Sequence, residues 1–104
     1  MKKIFITGAT GFVGGHLKNH LTAKGYEVLA PAKNDLADPF SPDTWRKALE
    51  RTECDTVVHL IAKTHAPDAG DPSALPSYRR INVDITRALL EASKDLGIRK
   101  FIYL

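Results

Sequence analysis

One cysteine, Cys54, stands in a chain of 104 residues, so no internal disulfide can staple the fold. That usage suits a reducing compartment, and a cytoplasmic location is the expectation. No apolar run approaches the roughly 18 residues that a membrane span needs. The opening MKK leads into a strand pattern with Thr7 and Gly8, not into the apolar core of a signal peptide. A long run of one charge is missing too. The 15 basic and 12 acidic residues are spread along the chain and leave a net charge of +3, which gives nucleic-acid binding little support. Repeats, low-complexity segments and an internal linker are also lacking. The length is that of one small domain, not two.

Apolar residues at 43% and charged residues at 26% describe an ordinary globular chain, and their order carries the information. KIFITG (3–8) is a short β-branched and aromatic run that ends in glycine, which predicts a buried strand. Val13, Leu17 and Leu21 then recur four apart, a helical stripe over 12–24 that Gly25 caps. YEVLAP (26–31) predicts a second strand, stopped by Pro31. In SPDTWRKALE, Ser41 can be an N-cap, Pro42 the first helical residue, and Asp43 a favourable charge at the positive helix end. Trp45, Ala48 and Leu49 make the buried face of that helix.

DTVVHLIA (55–62) is apolar nearly throughout, as strands covered on both faces are. Residues 63–76 are polar, with three prolines and a glycine, and predict a loop. Ile81, Ile85, Ala88, Leu89, Ala92 and Leu96 mark a long helix that Gly97 ends, and RKFIYL (99–104) predicts a fourth strand. Strands alternating with helices predict an α/β fold with a parallel, doubly wound sheet of Rossmann type. The expected strand order is 2-1-3-4.

Three glycines sit where the first strand turns into the first helix, in TGATGFVG (7–14). A helix start carries unpaired N–H groups and a partial positive charge, and a phosphate can sit there if no side chain blocks it. Gly8 lets the backbone turn, Gly11 lets a pyrophosphate approach the main chain, and Gly14 lets the helix pack on the strand. This is the mechanics of a dinucleotide fingerprint with altered spacing. The plainer alternative is a tight structural turn without a ligand.

The same residues carry a resemblance. Thr7, Gly8, Gly11, Phe12 and Gly14 match TGxxGFxG, and the match continues through DLADP (35–39), VVHLIAKTH (57–65), YRRINVDITRALLEASKDLG (78–97) and KFIYL (100–104). The chain resembles the extended short-chain dehydrogenase/reductase family, the NAD(P)-dependent epimerases and dehydratases of nucleotide sugars. The resemblance implies that the backbone of Thr10 to Val13 holds the pyrophosphate of NAD or NADP. Asp35 and Leu36 match the acidic-apolar pair beside the adenine; the alternative for Asp35 is a loop or capping aspartate. Leu60, Ala62 and Lys63 match the segment that lines the cofactor cleft, while Ile61 replaces a usually small residue and is expected to pack into the sheet. Asn82 matches the family's helix asparagine, either a structural hydrogen-bonder or a neighbour of the nicotinamide.

The acid that would hold the ribose hydroxyls in an NAD site falls on Ala32, and Lys33 follows. That favours NADP slightly, although Lys33 can also be a solvated loop lysine. His59 reads as a packed core histidine, and His65 as a loop residue. His16 and His20, four apart, read as an exposed helix face without a third metal ligand. Arg79 and Arg80 read as a solvated helix start.

The family's chemistry uses a serine or threonine soon after the fourth strand and then a Tyr-x-x-x-Lys pair, the lysine lowering the tyrosine pKa. Here Tyr26 is followed four residues on by Ala30, Tyr78 by Asn82, and Tyr103 is next to last. No residue is therefore named as catalytic. The expectation is an N-terminal NAD(P)-binding part, residues 1–104, of a nucleotide-sugar epimerase, dehydratase or reductase, cut before its substrate domain. The alternative is a non-catalytic dinucleotide-sensing or interaction module. Self-association through the apolar fourth strand is also expected.

Overall fold

A computed structural model describes residues 2–31, 38–61 and 80–103. Its described elements are β1 (Lys3–Thr7), α1 (Phe12–Ala23), β2 (Glu27–Leu29), α2 (Pro42–Thr52), β3 (Thr56–His59), a π-helical turn (Arg80–Asp84), α3 (Ile85–Asp95) and β4 (Lys100–Tyr103). The strands form one parallel sheet in the order β2-β1-β3-β4, as the alternation of elements predicts.

Period-two alternation divides the sheet into two faces. Ile4, Ile6 and Val58 point to one face, where Leu17 and Leu21 of α1 cover them. Phe5 and Val57 point to the other, into the larger core with Trp45, Ala48 and Leu49 of α2 and Ile85, Ala88, Leu89 and Ala92 of α3. Trp45 is fully buried, meets Phe5 edge-on at 6.5 Å, and its indole N–H donates to the Pro39 carbonyl at 2.8 Å. Ile61 packs against this core, as expected. Arg46 bridges from α2 to Asp95 at the end of α3 at 2.7 Å and also pairs with Asp43.

Helix ends follow their local chemistry. Gly25 (φ +92°) and Gly97 (φ +68°) each close a helix in a left-handed conformation. Around them run the paired bonds of a Schellman motif, Tyr26 to Leu21 with Gly25 to Thr22, and Ile98 to Ser93 with Gly97 to Lys94. Glu53 takes the same left-handed shape after α2, at φ +53°, without being a glycine. Ser41 and Pro42 stand at the N-cap and first helical positions as expected, but the Ser41 side chain makes no capping bond.

Three expectations need correction. The strands are shorter than their apolar runs, because pairing stops where the chain leaves the sheet at either end. The apolar stripe of α1 holds at Leu17 and Leu21, but Val13 is 58% exposed; buried Gly14 takes the contact position in the first turn. The predicted long helix over 81–96 is regular only from Ile85, since residues 80–84 form the wider π turn.

Candidate functional site

β1 and β3 are neighbours in register, Thr7 beside His59, and end at the same edge of the sheet. The strand order reverses direction here, with β2 on one side of β1 and β3 on the other. At such a switch point the outgoing connections diverge to opposite faces and leave a crevice beyond the strand ends.

Two of the motif glycines are demanded by the protein's own packing. Gly8 leaves β1 at φ +74°, and a Cβ on it would lie 3.1 Å from the Leu60 carbonyl carbon. The exits of β1 and β3 are thereby pressed together. A Cβ on Gly14 would lie 2.8 Å from the Ala9 Cα and closer still to the Gly8 carbonyl oxygen. Only a glycine lets α1 start so close to the turn that feeds it.

Gly11 is different. A Cβ there would meet only the Gly8 oxygen, at an ordinary 3.4 Å. Nothing within the described fold requires glycine at this position, and its bare, exposed face opens toward solvent. Gly11 is also the N-cap of α1, no side chain caps the helix, and its first turn has no acidic residue. Gly11 N–H donates to the Gly8 carbonyl at 3.1 Å, which fixes the turn. The amides of Phe12, Val13 and Gly14 have no carbonyl one turn earlier to bond, as at every helix start. Thr10 and Phe12 are exposed beside them, Phe12 to 83%. The arrangement can hold an anion against the backbone, with the helix dipole favouring negative charge.

Beneath the crevice lies a buried polar chain. Thr7 and His59 are both fully buried, and Thr7 Oγ1 lies 2.7 Å from His59 Nδ1. His59 Nε2 lies 2.9 Å from Thr86 Oγ1, which donates to the Asn82 carbonyl at 3.0 Å. On the other side the Leu60 N–H donates to Thr7 Oγ1 at 3.0 Å. The ring of Tyr103 stacks on His59 at 5.4 Å, and its hydroxyl donates to the same Asn82 carbonyl at 3.4 Å. Burial pushes the His59 pKa from 6.5 down to about 4. His59 is thus the packed core histidine expected, and neutral at neutral pH.

The structure gathers Gly8, Thr10, Gly11, Phe12, Val13, Gly14 and Leu60 around the β1 and β3 ends, and sets Asn82 in the π turn joined to that region through Thr86. Lys33, Asp35, Leu36, Ala62, Lys63, His65 and Arg79 lie outside the described residues, and Arg80 opens the π turn. His16 and His20 are exposed on α1, and among the described residues no group of three metal-ligating side chains forms. Thr7 and Thr86 are site residues that the sequence reading passed over. Thr7 stood inside the motif and Thr86 stands four after Asn82, the spacing for a hydroxyl bond back to a helical carbonyl.

Known proteins are similar to this chain in sequence and in fold. UDP-glucose 4-epimerase of Vibrio cholerae is 31% identical over 99% of this chain, which covers 34% of that protein. The fold matches UDP-glucose 4-epimerase of Thermus thermophilus, solved in complex with NAD, at a TM-score of 0.79 and 22% identity over 95% of this chain and 36% of that one. It matches dTDP-4-dehydrorhamnose reductase of Bacillus anthracis, solved in complex with NADP, at a TM-score of 0.80 and 22% identity over 96% of this chain and 35% of that one. The chain thus spans about a third of the length of these relatives. The NAD dependent epimerase/dehydratase family matches residues 4–104, nearly the whole sequence, and the chain belongs to that family.

Proposed function

We propose that residues 1–104 are the NAD(P)-binding part of a nucleotide-sugar epimerase, dehydratase or reductase. The observation that carries this reading is the contrast among the motif glycines. Gly8 and Gly14 are needed by the fold, whereas Gly11 clears a surface that nothing in the described fold fills. That clearing lies on an uncapped helix start at the switch point of the sheet. These residues fit a dinucleotide. The backbone of Thr10 to Val13 would hold the pyrophosphate, with the Phe12 and Val13 amides at the helix start donating to it, and Leu60 would form the cleft floor. Asp35, Leu36, Ala62, Lys63 and Asn82 are assigned to the same cofactor. When bound, the nicotinamide supplies hydride transfer to or from a sugar carbon; the protein supplies binding and orientation.

Lys33, directly after Ala32, supports NADP slightly over NAD. Tyr26 is followed four residues on by Ala30 and Tyr78 by Asn82, so neither is proposed as a catalytic tyrosine. The alternative reading is a non-catalytic dinucleotide-sensing or interaction module. Self-association through β4 is supported by its place at the sheet edge and by exposed Ile102 and Tyr103. Concentration-dependent light scattering tests it, and a strictly monomeric chain would end the idea. A cytoplasmic location is supported by a single, buried cysteine; among the described residues no helix is long and apolar enough to cross a membrane.

Thermal unfolding with NADH and with NADPH tests the main reading. A ligand at 100 times its dissociation constant adds about 2.7 kcal/mol, a shift of roughly 10–20 °C for a chain of this size. A larger shift with NADPH supports Lys33 as well as the cradle. A larger shift with NADH keeps the cradle and rejects the role of Lys33. No shift with either, on a chain that unfolds cooperatively, rejects these residues as a sufficient site.

A further inference from the structure

We propose that His59 is a positioning residue for the cleft floor. As a neutral imidazole it accepts the Thr7 hydroxyl proton, and so keeps Thr7 Oγ1 turned to hold the Leu60 amide against Gly8.

The direction of every bond in the buried chain follows from counting protons. Thr86 has one hydroxyl hydrogen, and it goes to the Asn82 carbonyl at 3.0 Å. Thr86 Oγ1 must therefore accept from His59 Nε2–H at 2.9 Å. A neutral imidazole carries one N–H, so Nδ1 is bare and accepts from the Thr7 hydroxyl at 2.7 Å. Thr7 Oγ1 is then left with lone pairs for the Leu60 N–H at 3.0 Å and, more weakly, the Ile61 N–H at 3.4 Å. The chain runs one way from the Leu60 amide to the Asn82 carbonyl and leaves none of its hydrogens without an acceptor.

That chain joins the β1 and β3 ends to the π turn. At one end, Leu60 is the residue against which Gly8 packs without a Cβ. At the other, Asn82 belongs to the π turn, a geometry that recurs at functional sites. Among the described residues, the groups facing the imidazole are Thr7 from β1, Thr86 from α3, and the rings of Phe101 and Tyr103 from β4. The Tyr103 phenol is the one titratable group among these, and no charged side chain contributes to the His59 shift. A proton on Nδ1 would turn that nitrogen from acceptor to donor. The Thr7 hydroxyl hydrogen would then lose its partner in a fully buried site, and Nδ1–H would compete with the Leu60 and Ile61 amides for the two lone pairs of Thr7 Oγ1.

The hydrogen-bond chain belongs to the fold itself; only its use for a dinucleotide rests on the proposed cofactor assignment. The test is NMR of the ¹⁵N-labelled 104-residue chain, together with His59→Asn and His59→Phe. Asn keeps an acceptor close to the Nδ1 position. Phe keeps the ring that stacks on Tyr103 but offers no acceptor. Near neutral pH, long-range ¹H–¹⁵N spectra are expected to show His59 protonated at Nε2 only. The Leu60 amide is expected to exchange about tenfold faster in His59→Phe, from the loss of one buried hydrogen bond, and to stay within about twofold of wild type in His59→Asn. A role in packing alone predicts the opposite order. An Nδ1–H tautomer, or Leu60 protection that survives His59→Phe, overturns the proposal. If His59→Phe does not fold, the tautomer and the loss of Leu60 protection as His59 titrates in the wild type decide it. NADH and NADPH titrations on the same samples separate the two readings. A wild type that binds neither dinucleotide rejects the cofactor assignment, while the exchange data still decide the role of His59.

Discussion

Acidification from about pH 7 toward about pH 4 is expected to remove a calculable part of this protein's stability through His59. The imidazole is fully buried, and burial lowers its pKa from 6.5 to about 4. Between those values the unfolded chain binds a proton that the folded chain refuses, so stability falls as pH falls. The difference from 6.5 to about 4, at about 1.4 kcal/mol per pH unit, is a total of about 3 kcal/mol. Little is lost at about pH 7, about 2 kcal/mol is gone by about pH 5, and the full amount is reached below the folded pKa. A domain of this size holds roughly 5–15 kcal/mol in all. The loss is therefore large enough to move the melting temperature by roughly 10 °C at about pH 5. Urea unfolding at several pH values measures it. His59→Asn serves as the reference, because it keeps the carboxylate titrations and removes only the imidazole. If the two proteins lose stability in parallel down to about pH 5, within about 0.5 kcal/mol, then His59 does not stay neutral in the fold and the reasoning fails.

Gly14→Ala places a methyl group inside the Gly8–Ala9 backbone. It is expected to destabilise the chain by about 1–3 kcal/mol or more in urea, whereas Gly11→Ala, with only an ordinary contact at 3.4 Å, should leave stability nearly unchanged and weaken any dinucleotide shift. Glu53→Gly relieves a left-handed residue after α2 and should raise stability by roughly 0.5–1 kcal/mol; a lower midpoint would show that Glu53 is held there by something more than chain direction. Cys54 is buried, and burial pushes its thiol pKa up, so a thiol reagent should label it only as the protein unfolds; fast labelling of the native chain would contradict its place in the core.

Much of this protein was legible along the chain because the signals are local. Three glycines between a strand pattern and a helix pattern state a tight strand-to-helix turn by themselves. Ala48 and Leu49 beside Trp45, and Ile85, Ala88, Leu89 and Ala92, state which helix faces go inward, and all are buried. Gly25 and Gly97 state where helices stop. Each of these depends on contacts within a few residues, and so on spacing alone.

Other features exist only once distant segments meet. That Gly8 and Gly14 are demanded by packing while Gly11 is not depends on where Leu60 and the Gly8 carbonyl come to lie, which no spacing encodes. Val13 matches the helical stripe in sequence yet is exposed, because the first turn of α1 makes its close contact through Gly14, against the Gly8–Ala9 backbone. The π turn before α3 breaks a pattern that reads as one continuous helix, since apolar periodicity cannot distinguish a wider turn from a regular one. His59 could be read as buried from its strand, but its tautomer could not. Thr7 and Thr86 lie 52 residues before and 27 after it respectively, and the parallel register of β1 with β3, together with α3 lying over that face, decides which nitrogen keeps the proton. Local order chose the elements; the long-range pairing of their ends made the crevice and the chain of hydrogen bonds beneath it.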